Sequence, residues 1–227
     1  MTISVIVPAL NEALTLSATL ARLHYSAFTE VIVVDGGSQD GTLAAAALAA
    51  PTARILTAPA GRARQLNVGA ADAKGAVLLF LHADTLLPPT AGDDITAALA
   101  DPLVVGGHFD ARLVPDRGLL WAVGRMMSWR SRVTGIATGD QAIFVRRKVF
   151  EALGGFPEIP LMEDVAFSGR LKHAGRIAHL HSCVMTSGRR WEQHGPLRMV
   201  LLMWTLRLLY FLGISPHRLK QLYGDTR

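Results

Sequence analysis

The chain contains one cysteine, Cys183, in 227 residues. A lone cysteine excludes an intramolecular disulfide and any multi-cysteine zinc site. Its apolar and small neighbours predict an inert, buried thiol. There is no interleaving of basic and aromatic residues of the kind that binds single-stranded nucleic acid. Basic residues are scattered, apart from Arg62/Arg64, Arg146-Arg147-Lys148 and Arg189-Arg190, so nucleic acid is not an expected partner. The first loop, Pro8-Ala9-Leu10-Asn11-Glu12, has no glycine. A nucleotidyltransferase needs a glycine-rich, basic cradle for triphosphate there, and that activity is disfavoured. No segment is low-complexity, no linker separates two compositions, and the alanine-rich stretch Ala44–Ala50 is the nearest thing to a repeat. The N-terminus lacks the basic head and cleavage site of a signal peptide, which predicts a cytoplasmic catalytic body.

What is present is a hydrophobic content of 50%, enough to bury a sizeable core in one domain, and a net charge of +5. That charge suits phosphate-bearing ligands or an anionic membrane surface. Strand and helix signals alternate through the first hundred residues. Ile3–Val7, Val31–Val34, Ile55-Leu56 and Val77–Leu81 read as strands; Ala13–Leu23, Gln39–Ala50, Arg62–Ala73 and a segment from Pro88 to Ala100 read as helices. Asn11 is the expected N-cap of the first helix. This order predicts an α/β fold with a doubly wound, mostly parallel sheet flanked by helices. Beyond Asp101 the spacing predicts a strand over Leu103–Leu113, a helix over Leu119–Arg130 and a strand over Gln141–Val145. Helices over Arg147–Leu153 and Val165–His173 and a strand over Ile177–His181 follow.

Three acidic segments end apolar runs, where open α/β sheets bind ligands. Asp35 closes the second strand and is followed by Gly36-Gly37, which lets the backbone approach a flat ligand. Asp40 reads equally as an N-cap for the next helix. Five apolar residues run into His82-Ala83-Asp84, whose spacing puts His82 and Asp84 on one face of an extended chain. A diphosphate-bound Mg²⁺ or Mn²⁺ needs only one or two carboxylates, which makes Asp84 the expected metal ligand and His82 a second candidate. Glu163-Asp164 follows the glycine- and proline-marked loop Gly154-Gly155-Phe156-Pro157, and a carboxylate there can take a proton from an attacking hydroxyl.

Together these segments resemble the family 2 inverting glycosyltransferases with the GT-A fold. Ile6–Glu12 resembles the family's opening strand and turn, and Val33–Thr42 its uridine-binding segment. Phe80-Leu81-His82-Ala83-Asp84-Thr85 resembles its Asp-x-Asp metal motif, and Met162-Glu163-Asp164 its catalytic acidic pair. Gly139–Phe144 and Gly154-Gly155-Phe156 resemble its acceptor half. The likeness spans roughly residues 2–190 and is closest to a small bacterial subgroup with Gly-Asp-Gln and Arg-Arg-Trp elements. Two departures stand out: Gly36 replaces an acid in the uridine segment, and His82 replaces the first acid of the metal motif.

The resemblance implies one domain, with a nucleotide-sugar half (1–100), an acceptor half (101–190) and a C-terminal helical extension (191–227). It implies nucleotide-sugar contacts from Pro8, Glu12, Asp35, Gly37, Arg62, Gln65 and Asp84, and catalysis by Asp164 with Glu163. It further implies acceptor or diphosphate contacts from Asp140, Gln141, Arg190 and Trp191, and a metal on Asp84 and His82. A catalytically silent scaffold of the same fold is the alternative that Gly36 and His82 keep open.

Leu197–Ile214 is apolar except for Arg198, Thr205, Arg207 and Gly213. A mid-span arginine costs roughly 2.5–3.5 kcal/mol on insertion scales, which argues against a membrane span. A core-packed helix, an interfacial anchor on anionic lipid and a dimer surface remain open. The anchor reading would suit a lipid-like acceptor.

Overall fold

The computed structural model describes residues 1–23 and 27–224. Strands β1 (Ile3–Ala9), β2 (Glu30–Asp35), β3 (Arg54–Thr57) and β4 (Val77–Phe80) pair in parallel, with β1 between β2 and β4 and β3 outside β2. Helices α1 (Ala13–Ala21), α2 (Thr42–Ala49) and α3 (Arg62–Asp72) connect them. This half is the βαβ alternation read from the sequence.

The second half is mixed. β5 (Thr85–Leu86), α4 (Ala91–Ala98), β6 (Val104–Val114), α5 (Gly118–Thr134), β7 (Phe144–Arg146), α6 (Arg147–Ala152), α7 (Glu163–Ala174) and β8 (Arg176–Ser187) follow. β7 runs antiparallel to both β4 and β6, while β6 and β8 are parallel and β5 pairs antiparallel with β8. The result is one eight-stranded sheet, ordered β3-β2-β1-β4-β7-β6-β8-β5.

Side-chain parity explains the two cores. Ile3, Val5 and Val7 of β1 meet Leu16, Leu20 and Ala46 of α1 and α2 on one face; Ile6 meets Leu66 and Ala70 of α3 on the other. Both faces of β1, β2 and β4 are buried, so their apolar runs are continuous rather than alternating. A third, smaller core joins Met162 and Val165 at the start of α7 to Leu206 and Leu219, on the C-terminal helices α9 (Pro196–Phe211) and α10 (Pro216–Tyr223). A short helix, α8 (Arg189–His194), precedes them.

Local chemistry revises several expectations. Asn11 is not an N-cap: its φ is +53°, Glu12 holds the cap position, and the Asn11 carboxamide oxygen accepts the Gln39 N–H at 2.9 Å. Asp40 instead serves two helix starts, accepting the Thr42 N–H at 2.9 Å and the Ala13 N–H at 3.2 Å. The α2 helix therefore begins at Thr42, after the turn. The strand expected over Gln141–Val145 starts only at Phe144, because Gly139–Gln141 forms a 3₁₀ turn. The last strand continues past His181 to Ser187, held by β6 along nearly its whole length. Cys183 on that strand is half-buried, not buried, because it borders a groove also lined by Trp121, Trp129 and Arg132.

His108 on β6 is 1% exposed. A carbonyl can only accept, so its Nδ1–H donates to the Phe109 carbonyl at 3.1 Å, and its Nε2 accepts from His179 Nδ1 at 2.9 Å. Burial first, then the neighbouring His179, outweigh the Phe109 bond and pull the imidazole pKa from 6.5 to about 4. Below pH 6.5 the unfolded chain binds a proton that the native ring excludes. Stability should fall as pH drops from about 6.5 to about 4, by on the order of 3 kcal/mol from this group. In denaturant titrations across that window, His108→Gln is expected to show a shallower pH slope than wild type; identical slopes would refute the assignment.

Candidate active site

The carboxyl ends of β1, β2 and β4 form one edge, and the acceptor half folds back onto it. The connection is built at the 3₁₀ turn. Asp164, in the first turn of α7, accepts the Gly139 N–H at 2.8 Å and the Val165 N–H at 2.7 Å. The next residue, Asp140, lies 3.1 Å from Nδ1 of His82, just beyond β4. Asp84 is two residues further on. Its backbone carbonyl accepts the Ser187 N–H at 3.2 Å, and the neighbouring Thr85 and Thr186 hydroxyls bond at 2.9 Å. Two residues remote in sequence, Asp84 and Asp164, are thus joined through His82, Asp140 and Gly139.

The electrostatics follow from crowding. Burial alone would raise the Asp140 pKa, but the His82 hydrogen bond and charge, with Arg62 and Arg190, outweigh it and hold the carboxyl at about 2. Asp84 is raised, chiefly by burial and further by the charges of Asp140 and Glu12, against the opposing pull of His82 and Arg62. Among the described residues its carboxylate has one hydrogen-bond donor, the Thr85 hydroxyl at 3.5 Å. Arg62 opens α3 and donates to Glu163 at 3.1 Å. Burial would lower its pKa, yet Glu163, Asp164 and Asp140 together raise it. Glu163 is 3% exposed, and burial raises its pKa against the charge of Arg62. Its carboxylate holds the arginine in place. A cleft of 460 Å³ lies alongside, bordered by Arg62, Glu163, Arg190, Lys220 and Tyr223. Arg190 also stacks over the Tyr223 ring, 5.2 Å from its centroid.

Asp35 sits two strands from Asp84, at the tip of β2, and is 2% exposed. It does not lack a structural use. Its carboxylate accepts the Gly37 N–H at 2.9 Å, the Ser38 N–H at 3.0 Å and the Ser38 hydroxyl. Pro8 is half-buried at the end of β1, and Gly37 is exposed with open space where a side chain would start. Glu12 accepts the Thr15 hydroxyl at 2.7 Å and contributes charge at Asp84.

Three assignments need correction. Gln65 is 2% exposed and both its N–H groups are spent on the Ala9 and Val34 carbonyls, at 2.7 and 2.9 Å. It ties the ends of β1 and β2 together and is not placed to touch a nucleotide. The same amide crowds Gly36: a Cβ there would lie 3.0 Å from the Gln65 side chain, a tight contact that glycine avoids. Gln141 is fully buried, donating to Ser131 and to the Phe109 carbonyl at 2.7 and 3.2 Å, and cannot hold an acceptor. Trp191 packs against the first core instead of presenting its face to a sugar. His82 is engaged within the protein through Nδ1, which is paired with Asp140, and its buried Nε2 abuts Gly139, where a Cβ would stand 2.1 Å away.

Among the described residues, no group of three or more His, Cys, Asp or Glu side chains is arranged to hold a metal ion. A one-carboxylate site is still a fit at Asp84. That acid is half-buried, weakly hydrogen-bonded and raised in pKa, the state that a cation relieves, and phosphate oxygens and water complete such a shell. Sequence reasoning missed two arginines near the site, Arg130 and Arg207. Their electrostatic reach extends to Asp164 and Asp140. The available signal was Arg207 itself, a charge in an apolar run that makes sense only with an inward partner.

By sequence, no curated protein matches the chain significantly. Solved structures do match in fold. The TarS 1–349 structure from S. aureus superposes with a TM-score of 0.63 at 20% identity, covering 84% of this chain and 61% of that one. The mannosyltransferase PcManGT from Pyrobaculum calidifontis, in complex with GDP-Man and Mn²⁺, gives 0.62 at 25% identity, covering 81% and 56%. Glucosyl-3-phosphoglycerate synthase from Mycobacterium tuberculosis, with Mn²⁺ and UDP-glucose, gives 0.58 at 19% identity, covering 80% and 69%. The chain thus spans about three-fifths of the length of the TarS and PcManGT structures. The sheet edge, the His82-Ala83-Asp84 segment and the turn at Gly139 all lie within residues 4–153, which match the model of glycosyl transferase family 2. This chain is a member of that family.

Proposed function

We propose that this chain moves a sugar from a nucleoside-diphosphate sugar to an acceptor hydroxyl or carboxyl, by a single displacement that inverts the anomeric carbon. The observation that carries the reading is the junction at Gly139-Asp140, which gathers Asp164, Asp140 and Asp84 beside a cleft bordered by Arg62 and Arg190. Residues 1–100 hold the donor and 101–190 the acceptor, within one domain. The solved relatives in complex with GDP-Man, UDP-glucose and UDP-GlcNAc support a nucleotide-sugar donor.

In this reading Asp164 is the base. Its two backbone N–H bonds orient the carboxylate and leave lone pairs free. The acceptor O–H bond breaks toward Asp164 as its oxygen bonds the anomeric carbon. The bond from that carbon to the diphosphate oxygen breaks, and the diphosphate leaves with the electron pair. Arg62 and Arg190 face the growing phosphate charge, and Glu163 positions Arg62. Asp84 would hold Mg²⁺ or Mn²⁺, which when bound supplies positive charge against the departing diphosphate. Asp35, Glu12, Pro8 and Gly37 shape the nucleotide side.

Peripheral membrane contact through the C-terminal helices belongs to the same proposal, with a cytoplasmic body and a lipid-like acceptor. Among the described residues no helix is long and apolar enough to cross a membrane. However, Leu197, Leu201, Trp204, Leu208 and Phe211 lie exposed along one face of α9. Exposed Arg198, Arg218 and Lys220 flank that stripe and suit anionic headgroups.

Asp164→Asn is expected to lower transfer by about 10²- to 10⁴-fold while nucleotide binding survives in calorimetry. Retained turnover would remove Asp164 from the role. Asp84→Ala should erase the gain in nucleoside-diphosphate affinity that Mn²⁺ gives the wild type; an undiminished gain would move the metal elsewhere. In flotation assays, the full chain should rise with vesicles containing anionic lipid and remain below with neutral ones. A chain that stays in the soluble fraction with both contradicts the membrane reading.

A further inference from the structure

We propose that Arg130 of α5 and Arg207 of α9 form an anion pocket beside Asp164, which receives a carboxylate or phosphate group carried by the acceptor near its reacting oxygen. The inference rests on the sugar-transfer reading and specifies its substrate class.

The two helices pack on each other, and both guanidinium groups are largely withdrawn from solvent. Arg130 Nε and one terminal nitrogen of Arg207 are buried with no hydrogen-bond partner. Arg130 reaches only the Gln141 side-chain oxygen, at 3.5 Å, the limit of a hydrogen bond. Among the described residues, no carboxylate lies within ion-pair distance of either arginine. The nearby acids are otherwise engaged: Asp164 accepts two backbone N–H groups, and Asp140 holds His82.

Two half-buried cations that repel each other, each with a buried nitrogen left unpaired, are a costly arrangement for a stable fold. Burial first, and then Arg207, pull the Arg130 pKa down to about 10, against the favourable charges of Asp164 and Asp140. An oxyanion relieves both problems, and the planar forks of two arginines match a carboxylate or phosphate in bidentate geometry.

The pocket belongs to the acceptor, not the donor. The carboxylates acting on Arg130 and Arg207 are Asp164 and Asp140, the base and its neighbour. Asp84, where the diphosphate is expected, lies in the field of Arg62 instead. The inward turn of Arg207 also explains an arginine in an apolar helix: α9 shows its apolar stripe to solvent and its charge to the site.

The test uses the full chain saturated with nucleoside diphosphate and Mn²⁺, so that the donor site is filled. Inorganic phosphate and glycolate are then titrated by calorimetry, which separates a phosphate from a carboxylate preference. Wild type should bind at least one of them, and Arg207→Gln and Arg130→Gln should weaken that binding by about tenfold or more. Arg207→Met, which keeps the apolar packing of α9, replaces the glutamine variant if that does not fold. A transfer assay adds a measurement on wild type alone: glycerol 3-phosphate or glycerate should be preferred to glycerol. Equal affinity in wild type and variants, or a wild type that binds neither anion, overturns the pocket. Failure of wild type to bind any nucleotide sugar overturns the transfer reading instead, and the two results are scored separately on the same protein.

Discussion

The Gly139 amide donating to Asp164, with Asp140 held by His82 one residue later, is the contact on which the site depends. These bonds join α7, the 3₁₀ turn and the end of β4, which are separated by long stretches of chain. Without them Asp164 would belong to a helix start and Asp84 to a strand end, with nothing to set their separation. Gly139 is required at the crossing because the His82 ring occupies the space of its missing side chain. The imidazole that departs from the family's metal motif thereby acquires a definite task. It holds the 3₁₀ turn of the second half against the end of β4.

Charge balance is the second constraint. Four carboxylates, Asp84, Asp140, Glu163 and Asp164, are brought together, Glu163 buried and the others half-buried, and their mutual repulsion is eased by neighbouring cations. Arg62 supplies one at the donor side through its bond to Glu163, and Arg190 another over the ring of Tyr223. Arg130 and Arg207 supply two more at the acceptor side. The basic character of the chain is therefore concentrated in function at this edge, although its basic residues are dispersed in sequence.

The C-terminal helices complete the site from outside the sheet. Leu206 and Leu219 pack on Met162 and Val165, so α9 and α10 are anchored to the start of the helix that bears Asp164, the proposed base. That anchoring lets Arg207 reach inward and Lys220 and Tyr223 border the cleft. It also leaves the opposite face of α9 apolar and uncovered, an arrangement that an ordinary amphipathic helix would avoid.

The parallel half of the fold was legible in the sequence because its signals are local. Continuous runs such as Ile3–Val7 and Val77–Phe80 read as strands buried on both faces, and each is followed within a few residues by an acid, Glu12 or Asp84. The placement of Asp164 and Asp84 at element ends was legible for the same reason, through short motifs. Gln65 and Gln141 were misread because an amide in a motif looks identical whether it faces a ligand or ties two backbone segments. Only burial distinguishes the two, and burial is a property of the whole chain. Pairings such as His82 with Asp140, and the convergence of Arg130 and Arg207 on Asp164, depend on residues 34 to 58 positions apart meeting in space. No local propensity encodes such meetings. The sequence by itself settled strands, helices and the kind of chemistry, since backbone preference and residue type act at short range; tertiary packing decided which side chains face the cleft.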